Sequence, residues 1–396
     1  MTRQALIAGG GIGGLAATLA CSRAGWAVRL FERAPQFSEV GAGIQLGPNV
    51  VKLLHGWGLD QALAAVAAFP QRLQVRHALS GAELGVLRLG EVAVQRYGAP
   101  YATIHRADLH GLLLTAVQLR TDARLNLNQR LQRFTQTDSV VTVQTDTGPV
   151  VEGDVLIGAD GLWSPVRQWL LGDGPPRVTG HLAYRALVPQ ASLPEALRSQ
   201  QVTAWLGPKL HVVQYPVRGG EWLNVVAIVH GHIDSGLDDW DHSANAAGLS
   251  AALRGACTPL QDLVHAIESW RLWVLCDRPA MRSADEQAQG RVALLGDAAH
   301  PMRPYLAQGA GMAIEDAAEL EQVLAMDVLD IPTRLRRYAL NRWQRCARVQ
   351  ARALRNGQIF HADGLLRWGR DLSMKLLGER LLDLPWLYAG GPQPLP

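Results

Sequence analysis

The loop Gly9-Gly10-Gly11-Ile12-Gly13-Gly14 constrains this chain more than any other segment. It follows the apolar run Ala5–Ala8 and opens a helix-like stretch, Leu15–Ala24. A Gly-x-Gly-x-x-Gly motif carries meaning only in that strand–turn–helix setting. Gly9 permits the tight turn, Gly11 lets a pyrophosphate reach the backbone, and Gly14 lets the helix pack on the strand. Phosphates then meet free amides at the positive end of a helix. A second apolar run, Ala27–Phe31, ends at Glu32, the expected acceptor for a ribose hydroxyl. The chain therefore starts as an α/β dinucleotide-binding fold.

The remaining pattern breaks that fold and then resumes it. Leu73–His77 alternates weakly and enters a sheet, and Arg106–Leu119 has helical spacing. Ala183–Val188, Val202–Leu206, His211–Tyr215 and Trp222–Val229 are short runs between Pro and Gly turns, the mark of an antiparallel sheet. Residues 243–269 read as helical. Arg291–Leu295 is a buried-type strand, followed by a helix from Gly309 to Leu324 and a helical C-terminal region. The cluster Arg334–Arg337 reads as a solvated helix face.

Composition removes several function classes. A hydrophobic share of 48% supports a sizeable core, and a formal net charge of +3 is too small to argue for nucleic acid. The four cysteines form no Cys-x-x-Cys pair, so neither zinc nor any other metal is expected, and buried free thiols are. No apolar stretch is long enough to span a bilayer and no signal peptide is evident, so a soluble cytoplasmic protein without membrane contact is expected.

Two later motifs decide which dinucleotide is bound. Ile157-Gly158-Ala159-Asp160-Gly161 and Leu295-Gly296-Asp297-Ala298-Ala299-His300-Pro301 each put a carboxylate beyond a strand end. That position faces the crevice where α/β sheets hold cofactors. A single nicotinamide nucleotide would leave these later carboxylates without a partner. With them, from the glycine loop to about Leu387, the chain resembles the class A flavoprotein monooxygenases, the FAD-dependent aromatic hydroxylases. Further carriers are His105–Leu109, Gln308-Gly309-Ala310-Gly311 and Ile314-Glu315-Asp316-Ala317. Gly41–Asn49 and His211–Pro216 are most similar to the branch of 3-hydroxybenzoate 6-hydroxylases, 6-hydroxynicotinate 3-monooxygenases and salicylate hydroxylases.

The resemblance implies a Rossmann-like FAD-binding domain of the p-hydroxybenzoate hydroxylase type, residues 1–72, 98–178 and 270–330. It implies an inserted antiparallel substrate sheet, residues 73–97 and 179–269, and C-terminal helices, residues 331–396. FAD would be held by Gly9, Gly11, Ile12, Gly13, Gly14, Glu32, Arg33, Gly43, Arg106, Asp160, Gly296, Asp297, Pro304, Gly309, Ala310 and Gly311. Asp160 would lie near the pyrophosphate and Asp297 on the ribityl hydroxyls. The helix beginning at Gly309 would stabilise the reduced flavin anion, by on the order of 1–2 kcal/mol. NADH or NADPH would be a transient electron donor, with O2 consumed through a flavin C4a-hydroperoxide.

Such chemistry needs a base near a phenolic hydroxyl and a pocket closed to water. His211 and Tyr215 share one face of a strand, so His211 is expected as base and Tyr215 as a substrate holder. Gln45, Arg185, Arg303 and Tyr305 are expected at the substrate, with Arg218 a further candidate for a carboxylate. His300 reads as an orienting residue rather than a base. Met302-Arg303-Pro304 is similar to the hydroxynicotinate enzymes, yet Gln45 stands where those carry histidine, and Pro304 stands where the hydroxybenzoate enzymes carry glutamine. The expected partners are a small phenolic or hydroxypyridine carboxylate and O2. The competing reading keeps the fold and acts as an epoxidase or reductase on a larger, lipid-like substrate. The tail helices around Leu365–Leu387 can dock on their own core or on a partner subunit, which leaves a homodimer open.

Overall fold

The computed structural model describes residues 3–38, 41–231 and 247–393, and the backbone of 242–244. Glu39 and Val40, quoted above beside Gly41, and the last residues of the Pro/Gly tail lie outside the described residues.

The strand Gln4–Ala8 sits inside a six-stranded sheet. Its order is Ala288–Gln289, Val292–Leu294, Val155–Gly158, Gln4–Ala8, Ala27–Phe31 and Ala123–Asn126. All neighbours are parallel except the first pair, a short antiparallel hairpin. Strands buried on both faces read as continuous apolar runs, which Ala5-Leu6-Ile7-Ala8 and Val155-Leu156-Ile157 do. Parallel pairing brings their carboxyl ends to one edge. Gly9, Glu32 and Asp160, far apart in sequence, therefore line a common crevice, and Asp297 follows the neighbouring strand Val292–Leu294 at the same edge.

A second sheet has eight strands. In order they are His242–Ala244, Trp270–Asp277, Arg177–Pro189, Trp222–His230, Leu210–Val217, Val202–Gly207, Arg72–His77 and Glu83–Arg88. Trp270–Asp277, assigned to the FAD-binding part from sequence, instead pairs with Arg177–Pro189 in this sheet. One face of the sheet, with Tyr184, Trp205 and Val212, packs under the helices Ala247–Ala252 and Thr258–His265. Paired residues share a face, so the register Ala183–Ile228–His211 and Arg185–Val226–Val213 places Arg185 and His211 together on the opposite face.

A helix of 30 residues, Ile331–Phe360, crosses the molecule; it runs about 45 Å. Asp330 caps it by accepting from the Thr333 amide at 2.8 Å, and Pro332 fits its first turn. Arg334 departs from the solvated-face reading. It is fully buried and donates to the Leu324 carbonyl at 2.6 Å and the Leu329 carbonyl at 2.8 Å. It thereby satisfies the end of the helix Gly309–Leu324, whereas Arg336 and Arg337 stay exposed.

The same long helix grips Gly309–Leu324 through buried charge. Arg342 reaches Asp316 at 2.7 Å and Glu315 at 2.8 Å, and Arg345 reaches Glu315 at 2.7 Å. Removing one member leaves its partners charged and dry, which costs about 3–5 kcal/mol. Arg342→Ala is expected to lower the unfolding free energy in urea by that amount. Arg336→Ala, which breaks only an exposed pair with Asp285, should cost less than about 1 kcal/mol. Equal effects would contradict the buried network.

Candidate active site

The first part of the site is a cleft of about 310 Å³ at the carboxyl edge of the parallel sheet. Gly9, Gly11, Glu32, Arg33, Arg106 and Asp160 line it. Gly9 has φ +100°, and a Cβ there would lie 2.5 Å from the Ala159 carbonyl oxygen. A Cβ at Gly14 would overlap the Gly9 carbonyl oxygen. Gly11 starts the helix Ile12–Arg23 without a side-chain cap, so the first-turn amides face the cleft. Ile12 is buried, and a Cβ at Gly13 would meet Leu295 at 2.8 Å. Glu32 accepts from the Gly10 amide at 2.6 Å and the Ala34 amide at 2.8 Å, so it also braces the loop.

Asp160 accepts from the Ser164 hydroxyl and, at 3.1 Å, from the Val166 amide. Burial outweighs these bonds and pushes its carboxyl up to about 6. Asp297 lies further along the crevice, open to it but walled by protein elsewhere. That desolvation raises its carboxyl, against the opposing charges of Arg106 and His300. No protein hydrogen bond engages the Asp297 carboxylate among the described residues, which leaves it for a ligand hydroxyl. Beside it begins the helix Gly309–Leu324, whose cap residue Gln308 makes no side-chain bond to the first turn. Gly309 and Ala310 present backbone there, and Gly311 packs on Val50. Gly296 donates to Asp316 at 3.0 Å, fixing the turn that carries Asp297. A long cradle with uncapped helix ends and one uncommitted carboxylate fits FAD; Glu32 would hold its ribose, Asp297 its ribityl chain and the glycine loop its pyrophosphate.

The second part is a cavity of about 760 Å³ between the large sheet and the long helix. His211, Gln45, Tyr101, Val213, Pro304 and Tyr305 are on its wall. Pro304, expected at the cofactor, lines this cavity. Tyr215 is not among the lining residues. Its ring packs where a Cβ of Gly43 would be, 2.5 Å away, and its hydroxyl hydrogen-bonds Gln45. Gln45 also accepts from Tyr101 at 2.7 Å, and the Gly43 amide donates to Asn224 at 2.6 Å. Tyr215 and Asn224 therefore fix the strand Gly43–Leu46 that presents Gln45.

The three arginines separate by partner. Arg303 is paired with Asp277 at 2.8 Å and Arg218 with Asp108 at 3.1 Å. Arg185 has no acid partner among the described residues. Its Nε is buried without a hydrogen bond and its guanidinium lies 4.8 Å from the centre of the Trp273 ring. Burial, with the repulsion of Arg106, lowers it to about 10. His300 is fully buried and paired with Asp316 at 2.6 Å, which, with Cys346, holds it well above the ordinary imidazole value despite burial. It orients the turn and does not reach the cavity. Tyr101, Asn224 and the histidines around His211 were missed from sequence, since no local spacing joins them.

A cleft that fits FAD and a separate cavity of about 760 Å³ under the large sheet are the two parts that a flavin-dependent monooxygenase needs. A family model described as FAD binding domain matches residues 2–353, and the chain belongs to that family, the FAD-dependent aromatic hydroxylases. It is 38% identical to the 3-hydroxybenzoate 6-hydroxylase of Polaromonas naphthalenivorans over 386 residues, covering 97% of this chain and 95% of that one. It is 38% identical to the 6-hydroxynicotinate 3-monooxygenase of Bordetella bronchiseptica, covering 87% and 88%. The crystal structure of Klebsiella pneumoniae HpxO complexed with FAD and uric acid superposes with a TM-score of 0.84 at 26% identity, covering 96% and 94%. Among the described residues no helix is long and apolar enough to cross a membrane.

The raised Asp160 carboxyl makes a stability prediction. A group raised from 3.8 to about 6 stabilises the fold below its ordinary value and loses that contribution as pH rises through about 6. In flavin-free protein, the stability difference between Asp160→Asn and the parent should move in the variant's favour by on the order of 3 kcal/mol from about pH 4 to about pH 7. Urea titrations across that range measure it; a difference independent of pH would contradict the assignment.

Proposed function

We propose that this enzyme hydroxylates a small aromatic or hydroxypyridine carboxylate bearing a ring hydroxyl, with NADH as electron donor. The observation that carries this reading is Arg185, a half-buried cation whose buried Nε has no hydrogen bond and which has no acid partner among the described residues, on the same sheet face as His211. A ring carboxylate would neutralise it while its hydroxyl meets His211. Bound FAD supplies the oxygen-transfer chemistry, taking electrons from NADH and using O2. His211 accepts the hydroxyl proton or hydrogen bond. Burial holds its imidazole down to about 3, so it is neutral and able to accept throughout the working range. Gln45 and Tyr101 fix one wall, and Tyr305 covers another.

The cavity volume of about 760 Å³ and its apolar tail-helix wall, with Leu365, Leu366 and Leu382, favour a second reading with a larger substrate. The relatives bearing this domain support the first, since two of them act on hydroxybenzoate and hydroxynicotinate by name. Use of NADH supports a cytoplasmic location. Leu365, Trp368, Leu372 and Leu376 form an exposed apolar stripe that supports a homodimer, which sedimentation over a concentration range would reveal.

Purified FAD-loaded protein, offered hydroxybenzoates, salicylate and 6-hydroxynicotinate, should oxidise NADH and give a product one oxygen heavier. Flavin-bound protein that hydroxylates none of them would sink the proposal. Arg185→Met should raise KM for the acid roughly tenfold or more while leaving a phenol without a carboxylate little changed. His211→Gln should lower kcat by about 10²-fold.

A further inference from the structure

Four histidines distant in sequence meet at one end of the substrate cavity. His181, His211 and His230 come from neighbouring strands of the large sheet, and His361 follows the last turn of the long helix. Nδ1 of His211 lies 2.7 Å from Nε2 of His361, and Nδ1 of His361 lies 2.9 Å from Nε2 of His230. His211 is 2% exposed and on the cavity wall, His361 is 7% exposed, and His230 is exposed at the surface. No acid pairs with any of them among the described residues.

We propose that His211, His361 and His230 form a proton wire that carries the substrate hydroxyl proton from the closed pocket to bulk water. This rests on the reading that a ring hydroxyl is bound at His211. The substrate O–H bond breaks as an N–H bond forms at His211 Nε2. The proton on His211 Nδ1 passes to His361 Nε2, that on His361 Nδ1 passes to His230 Nε2, and His230 releases one from Nδ1 to water. One proton leaves, no electrons move, and every imidazole ends neutral. His361 and His230 are positioning residues that act through His211.

The surroundings explain why a wire is needed. Burial, with the neighbouring rings, pushes His211 down to about 3 and His361 down to about 2. His181 stacks on His230 with ring centres 4.3 Å apart and accepts or donates to the Tyr305 hydroxyl. Arg303 and Lys209 add positive charge around His230, and Asp277, the acid nearby among the described residues, is committed to Arg177 and Arg303. A proton therefore cannot rest on His211 and would return to the substrate unless it moves outward. A metal centre does not fit the same rings. Three of them offer nitrogens within 4.8 Å of one another, but His181 and His230 lie nearly parallel at 28°, so their in-plane lone pairs do not converge on one ion.

The test follows proton release rather than turnover. Oxidised FAD-loaded enzyme, without NADH, is mixed in a stopped-flow instrument with 3-hydroxybenzoate, salicylate or 6-hydroxynicotinate in weak buffer containing an indicator dye. Wild type should release a proton on binding. His361→Gln and His230→Gln should bind with Kd changed less than about twofold yet release it roughly tenfold or more slowly, and imidazole should restore His230→Gln. Wild-type release rates in folded, flavin-bound variants would overturn the wire. If His361→Gln fails to fold, the surface variant His230→Gln decides alone. Binding to wild type without proton release would overturn the wire and leave the hydroxylase reading intact. Failure to bind or hydroxylate any of the three acids would overturn that reading, and the wire with it.

Discussion

Two buried carboxylates on one helix, Glu315 and Asp316, are the constraint on which the active site hangs. Both are fully buried, and both stay ionised because Arg342 and Arg345 arrive from the long helix. The desolvation cost of such charges is met only where geometry fills their remaining lone pairs. Here the filling is done by parts of the site. Asp316 accepts from the Gly296 amide and from His300, and Glu315 accepts from Asn49 at 2.6 Å. The pair therefore fixes the Asp297 turn, the start of the helix Pro48–Gly56, and the direction in which Gly309 opens the flavin-facing helix. The long helix also holds the next loop, with Gln350 donating to the Pro301 carbonyl at 3.1 Å and Asn356 to the Tyr305 carbonyl at 3.0 Å. Cofactor side and substrate side are thus set by one rod.

Histidine shows how strongly environment decides chemistry here. His300 and His211 are equally buried. Cys346 and Asp316 hold the first well above the ordinary imidazole value, and burial, with no acid beside it among the described residues, pushes the second down. The ion-paired histidine serves architecture, because its charge is already spent on a fixed partner. The unpaired one faces the cavity with a free nitrogen. Arginine divides in the same way: Arg303 and Arg218 are neutralised by Asp277 and Asp108, while Arg185 is left with only a ring face.

These distinctions mark the limit of what the sequence discloses. The glycine loop, Glu32, Asp160 and Asp297 were legible because each sits at a strand end, where a local pattern of apolar run, glycine and acid announces its position. The helix Gly309–Leu324 was legible to the residue for the same reason. The partner of a charge is a tertiary fact. Asp277 and Arg303 are 26 residues apart, and His211 and His361 are 150 apart, so no spacing links them. Arg334 looked solvated because its neighbours Arg336 and Arg337 are, yet a carbonyl end arriving from another helix buried it. Trp270–Asp277 looked like a return to the cofactor fold because it precedes Arg291–Leu295. Its alternating burial belongs to the outer sheet, where one face is covered and the other open. Tyr215 shared a face with His211 as expected, but Gly43 offered a seat that only a missing side chain makes, and the ring took it.

Arg106 ties the two halves of the crevice together electrostatically. Its charge lowers the Asp297 carboxyl on the cofactor side and lowers the Arg185 guanidinium on the substrate side. An acid near Arg106 is stabilised and a second cation near it is not, so Asp297 gains and Arg185 loses from the same source. Arg106 and Arg185 are thus close enough for their charges to repel. Such repulsion costs more where protein displaces water, and an anion beside the two cations would lower it. Arg185, with its buried Nε unbonded, is where that repulsion is least offset among the described residues.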